Sequence, residues 1–166
     1  MSHPIAEERP LVHGDALNGL RAEIAEEPDP SAAAQRAVEM LHDRFGHYDW
    51  VGIYWVDPTG TQLHLGPWVG PAATEHTVIP IGVGICGAAA ASGRTEIVDD
   101  VDADPRYLAC FTSTRSEIVV PILDGGEVVG EIDIDGTDLA AYDETDARFL
   151  EEVAALLAPL RPRSGS

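Results

Sequence analysis

The sequence predicts an α+β layered domain, an antiparallel sheet covered by helices. Three observations lead there. Two stretches with helical spacing open the chain, a β-rich middle is broken by turn signals, and a helix with a broad apolar stripe closes it. No internal repeat is visible, so the 166 residues read as one continuous unit, a size suited to a single core.

Leu11 to Glu26 carries Leu17, Leu20 and Ile24 on one helical face before Pro28 and Pro30 interrupt it, a short amphipathic helix. Ser31 is placed to cap the next helix, along which Ala34, Val38, Leu41 and Phe45 step to Gly46. Trp50 to Val56 is rich in aromatic and branched residues and reads as a strand. Asp57-Pro58-Thr59-Gly60 then turns the chain into a second strand over Gln62 to Gly66. Thr77 to Pro80 is a third short strand, Gly82 to Gly87 leads into a small-residue helix over Ala88 to Ala91, and Gly93 closes it. After the short strand Thr95 to Val98 comes an acidic loop, Asp99 to Pro105, and an irregular stretch to Arg115. Ser116 to Leu123 and Glu127 to Asp135 are the strongest hairpin signal, because Asp124-Gly125-Gly126 offers the positive dihedrals of a tight reversal, and these strands are expected centrally. Asp143 is placed to cap the last helix, whose Phe149, Leu150, Val153, Leu156, Leu157 and Leu160 form the stripe.

Twenty-nine acids against ten bases give a net charge of −19, which repels phosphate backbones and anionic lipid, so no nucleic acid or membrane partner is expected. All ten bases are arginine. No run reaches the length of a membrane helix, and the first residues lack the order of a signal peptide, so the cytoplasm is the expected compartment. Two cysteines, Cys86 and Cys110, are too few for a disulfide scaffold.

Three stretches have chemical potential. Cys86 falls at a helix start, where unpaired N–H groups and the dipole favour a thiolate; the alternative is a small buried hydrophobe. Its Gly-x-Gly-x-x-Gly string, Gly82, Gly84 and Gly87, follows no long parallel strand, so a dinucleotide site is not expected. Cys110 lies in a loop near Arg106 and Arg115, whose guanidiniums can stabilise a thiolate; the alternative is burial beneath Phe111. Along Glu131-Ile132-Asp133-Ile134-Asp135 the period of two sends the acids to one face, and Glu117 lies across the hairpin from its far end. A solvated sheet face is the plain alternative. The six histidines show no ligand spacing, so no metal is expected, and His42 and His47 are expected to be solvated.

Gly66-Pro67-Trp68-Val69-Gly70, Ile79-Pro80-Ile81-Gly82-Val83-Gly84-Ile85-Cys86-Gly87, Ala109-Cys110 with Ser116-Glu117-Ile118-Val119-Val120-Pro121, and Asp133-Ile134-Asp135 resemble, in order and spacing, the free methionine-(R)-sulfoxide reductases, GAF-domain enzymes. The resemblance runs from Leu11 to Leu160, with tails over 1–10 and 161–166. It implies a GAF-like fold, a central six-stranded antiparallel sheet with helices on both faces, around a small enclosed pocket. It implies that Cys110 attacks the sulfoxide sulfur and that Cys86 resolves the resulting sulfenic acid as a disulfide. Glu117, Asp133 and Asp135 would hold the substrate ammonium and assist the sulfoxide oxygen, with Trp50 and Tyr54 in the pocket wall. No cofactor is implied; thioredoxin is the implied reductant, and a homodimer remains open. The chain departs from the family where a further cysteine is usual, near Thr74, leaving Cys86 as the only internal resolver. Phe111 also follows Cys110 where an acid is common. The competing reading is a non-catalytic GAF module that binds a small ligand or senses redox state.

Overall fold

The computed structural model describes residues 9–109 and 111–162. Helices α1 (Arg9–Glu26) and α2 (Pro30–Arg44) precede strands β1 (Trp50–Val56), β2 (Gln62–Val69) and β3 (Val78–Pro80). Helix α3 (Gly84–Ser92), strands β4 (Glu96–Val98), β5 (Ser116–Asp124) and β6 (Glu127–Gly136), and helix α4 (Glu144–Leu157) follow. The strands form one six-stranded sheet in the order β3-β2-β1-β6-β5-β4, every neighbour antiparallel. Among the described residues every strand pair is antiparallel, so the glycine string does not sit in a βαβ unit. Strands β1 and β6 are central, with β5 beside them, and Gly125 and Gly126 take φ of 60° and 86° in the β5–β6 turn.

Alternation along the strands splits the sheet into two apolar layers. On one face Val51, Ile53, Ile118, Val120, Ile132 and Ile134 pack with Leu17, Leu20, Val38, Leu41, Leu150 and Val153 of α1, α2 and α4. On the other, Trp50, Tyr54 and Val119 pack with Ile85, Cys86, Ala89 and Ala90 of α3. Helices therefore cover both faces, and β6 is buried from Val129 to Gly136.

Several local expectations are corrected. The cap of α2 is Asp29, whose Oδ2 accepts from the Ala32 N–H at 3.1 Å, and not Ser31. Pro30, with φ already helical and no N–H to satisfy, takes the first helical position and moves the cap two residues earlier. Strand β2 runs on through Pro67 to Val69 because β1 continues to pair with it past a bulge, Gly52 opposite Trp68. Helix α3 begins four residues before Ala88, since Gly82 and Gly84, at φ 94° and 71°, turn the chain early. Asp143 caps α4 as expected, in a reciprocal capping box with Asp146.

His47 is not solvated but 2% exposed. It lies with His13 around Asp146, whose Oδ1 accepts from Tyr48 Oη at 2.7 Å, with His47 Nε2 at 3.7 Å and His13 Nε2 at 3.9 Å. The His13 ring stacks on Phe149 at 4.3 Å, tying α1 to α4. Burial works against the Asp146 anion, but His47, Tyr48 and the Asp143 backbone outweigh it and hold the carboxyl below its usual range. A carboxyl depressed by folding stabilises the protein above its unfolded value, about 3.9, and loses that contribution as pH falls through its folded value. Asp146→Ala should therefore cost about 3 kcal/mol at pH 7 in urea unfolding, with the deficit shrinking as the unfolding is repeated at progressively lower pH below 4.

Candidate active site

Register concentrates acids on the face beneath α3. Asp135 lies opposite Trp50 of β1 and Glu117 of β5; Asp133 lies opposite Gly52 and Val119; Glu131 lies opposite Tyr54 and Pro121. The period of two thus puts Glu117, Glu131, Asp133 and Asp135 on one face as the sequence predicts, but that face is not solvated. Their exposures are 5%, 0%, 2% and 3%. Both Glu131 carboxylate oxygens, Asp133 Oδ1 and Asp135 Oδ1 are buried without a hydrogen-bond partner. Burial pushes all four carboxyls above their usual range; the Asp133 charge adds to this at Glu117, Glu131 and Asp135, and the Asp135 charge adds at Glu117. Folding favours the protonated forms in such a group, and its unpartnered oxygens are acceptors that a buried cation or proton donor can satisfy.

Glycines set Cys86 over this group. The Gly82 N–H donates to the Gly87 carbonyl at 2.8 Å, and the Gly87 N–H to the Val83 carbonyl at 3.0 Å. A Cβ on Gly87 would stand 2.6 Å from the Pro80 carbonyl oxygen, so only glycine permits that clasp. Cys86 follows in the first turn of α3, 7% exposed, with Sγ 4.0 Å from Glu117 Oε2. Of the two sequence readings, a thiolate favoured by the helix start and a small buried hydrophobe, the structure supports the second. Burial, then the charges of Asp133, Glu131, Glu117 and Asp135, push the thiol well up, because desolvation and four acids outweigh a helix terminus. Cys86 rests as a neutral thiol.

Aromatic rings wall the same layer. Trp50 stacks on Trp68 at 6.1 Å and 13°, and Phe111 tilts against Trp50 at 6.0 Å. The Trp50 indole lies flat because Gly52 and Gly70 leave it room: a Cβ on either would fall within 2.4 Å of the ring. Trp50 Nε1 donates to the Ala72 carbonyl at 3.2 Å and Tyr54 Oη to the His76 carbonyl at 2.7 Å, so both aromatics hold the 70–77 loop over the site. His76 Nε2 in turn meets the Ala109 carbonyl oxygen at 3.3 Å, joining this loop to the segment before residue 110.

The structure thus brings Cys86, Glu117, Asp133, Asp135, Trp50 and Tyr54 into one layer. Cys110 lies outside the described residues. Of the arginines near it in sequence, Arg106 is committed to Glu96 and Asp104, at 3.0 Å and 2.7 Å, while Arg115 is exposed. Sequence reasoning left Glu131 out of the site and missed Trp68. The alternation that placed Asp133 and Asp135 carries Glu131 with them, whereas nothing in the spacing signals the stacking of Trp68 on Trp50.

Residues 29–159 match the GAF domain family. The chain is 41% identical over 111 residues to the free methionine-R-sulfoxide reductase of Saccharomyces cerevisiae, covering 66% of this chain and 61% of that one. It is 29% identical over 145 residues to the free methionine-R-sulfoxide reductase of Escherichia coli, covering 87% and 86%. The crystal structure of the Neisseria meningitidis free methionine-R-sulfoxide reductase in complex with its substrate superposes with a TM-score of 0.85 at 39% identity, covering 96% of this chain and 93% of that one. By sequence and by fold, the chain belongs to the GAF domain family, among relatives named free methionine-R-sulfoxide reductases.

Proposed function

We propose that the protein reduces free methionine-(R)-sulfoxide to methionine by thiol chemistry. The observation that carries this reading is the buried set Glu117, Asp133 and Asp135 beneath Cys86, held on a scaffold that matches a relative solved with its substrate. A free amino acid brings an ammonium group, and a buried carboxylate without a partner is its natural acceptor. The sulfoxide oxygen leaves only if protonated, and a carboxyl kept protonated by burial and neighbouring acids is a suitable donor. Trp50 packs on the methyl group of the sulfoxide, and Tyr54 holds the covering loop.

In this mechanism the Cys110 thiolate attacks the sulfoxide sulfur, the oxygen takes a proton from the carboxyl group, and the products are methionine and the Cys110 sulfenic acid. The Cys86 thiol then displaces water from that sulfenic acid and forms the Cys86–Cys110 disulfide. An external dithiol of the thioredoxin class reduces the disulfide and returns both thiols. A protonated Cys86 suits this order, since a second resting thiolate would compete with Cys110 for the substrate.

The test is incubation of the reduced chain with free methionine-(R)-sulfoxide and a thiol reductant, with methionine quantified. Cys110→Ser should abolish turnover. Cys86→Ser should keep one stoichiometric turnover and lose cycling with thioredoxin; unchanged cycling refutes the resolving role. Binding of another metabolite with no methionine formed favours the sensor reading. Glu117→Gln should lower kcat/KM by about 10²–10⁴-fold, the usual contribution of a general acid.

The same carboxyls should weigh on stability. A carboxyl raised by folding contributes while protonated, and the contribution is lost as pH rises through its folded value. Asp135→Asn should therefore gain in melting temperature relative to the parent as pH goes from 5 to 8, by about 2–4 °C for each kcal/mol relieved. A difference independent of pH would mean that Asp135 does not titrate in that range.

A further inference from the structure

Sγ of Cys86 and one carboxylate oxygen each from Glu117 and Asp133 lie within 4.8 Å of one another, and all three side chains are buried. Helix α3 and strands β5 and β6 each supply one of them, so no sequence spacing announces the group. Asp133 Oδ1 has no hydrogen-bond partner, nor has either oxygen of Glu131, the next acid along the same face. We infer that Cys86, Glu117 and Asp133 form a binding site for a divalent cation of the zinc class, which competes there with the substrate. The competition rests on the reductase reading; the binding does not.

The donor set selects the ion. Zinc takes thiolate sulfur at about 2.3 Å and carboxylate oxygen at about 2.0–2.2 Å in a tetrahedron, which sets ligands about 3.5 Å apart. Closing the group to that spacing takes side-chain adjustment of about an ångström, and the fourth position stays open to water. Calcium wants six to eight oxygens, and magnesium a near-ideal octahedron of them, so a sulfur with two carboxylates suits neither. Two positive charges placed among four buried acids also stabilise the ionised carboxylates that burial otherwise disfavours. The exchange is a ligand substitution: the Cys86 S–H bond breaks as an S–Zn bond forms, each ligating carboxyl that carries a proton loses it as its O–Zn bond forms, zinc gives up the waters replaced, the protons leave to buffer and no electron moves. A zinc-capped Cys86 cannot attack a sulfenic acid, so the ion would silence recycling until a stronger chelator removes it.

The experiment titrates the reduced, metal-free full chain with zinc against a chromophoric chelator and repeats it with cobalt, whose thiolate charge-transfer band reports a sulfur ligand. One equivalent should bind, with magnesium and calcium in excess leaving the titration unchanged. Cys86→Ser should lose the band and weaken zinc by at least about tenfold. Asp133→Asn should weaken zinc comparably yet keep the band, and Cys110→Ser should keep both, with thermal melts confirming that each variant is folded. A band that survives Cys86→Ser, or zinc bound well below one equivalent, overturns the site. Free methionine-(R)-sulfoxide should lower the apparent zinc affinity, and an affinity unmoved by saturating sulfoxide overturns the competition. A chain that binds zinc through Cys86 but makes no methionine in the presence of chelator overturns the reductase reading alone. One that makes methionine but gives no Cys86-dependent band overturns the site alone.

Discussion

Burying an acidic strand at the centre of the sheet is the constraint on which the other features of the site depend. Strand β6 is flanked by β1 and β5 and covered on both faces, yet every second residue from Glu131 to Asp135 is a carboxylic acid. Ile132 and Ile134 fix the register, because a slip of one residue would drive the acids into the main core and turn both isoleucines to the site. Once register is fixed, the acids must lie under α3, and a cover of small residues, Ala89 and Ala90 with Gly87, lets that helix approach closely enough to seal them. The glycine string therefore serves helix placement, and Cys86 is carried with it.

Two buried carboxylate environments in the same domain show how surroundings decide a role. Asp146 accepts from Tyr48, closes the capping box with Asp143 and lies beside two imidazoles, so folding favours its ionised form. The acids of the other layer lack such donors, and folding favours their protonated forms. A satisfied acid stabilises its surroundings. Unsatisfied acids retain hydrogen-bonding capacity that a bound ligand can use, at a cost to the free protein.

Most of the fold was legible because its signals are local. Period-two alternation located β5 and β6, the Asp-Gly-Gly turn joined them, and Asp143 marked the start of α4. The errors arose where a distant partner decides. Ser31 is as good a cap as Asp29 until Pro30 claims the first turn. His47 reads as a loop residue until Asp146, nearly a hundred positions away, is folded against it. Exposure of the acidic face was undecidable from pattern alone, since alternation reports which side a residue faces and not whether a helix covers that side. The choice between the two readings of Cys86, thiolate or small buried hydrophobe, turned on the same point: its helix start is local, but the desolvation and the four neighbouring acids that keep it a buried thiol are tertiary.

Thr74 illustrates how the covering loop and the thiols are linked. Where the family resemblance anticipates a further cysteine, Thr74 is 7% exposed and its Oγ1 accepts from the His76 N–H at 3.1 Å. That bond shapes the turn whose His76 carbonyl receives Tyr54 and whose imidazole reaches the Ala109 carbonyl. A hydroxyl here has an architectural task that a thiol, a weaker acceptor, would do less well. Sulfur chemistry on the described part of the chain is then concentrated on Cys86, whose neighbours hold it protonated. In the proposed cycle that restraint is useful, because a resolving thiol should stay inert until a sulfenic acid comes within reach and then react by proximity rather than by intrinsic acidity.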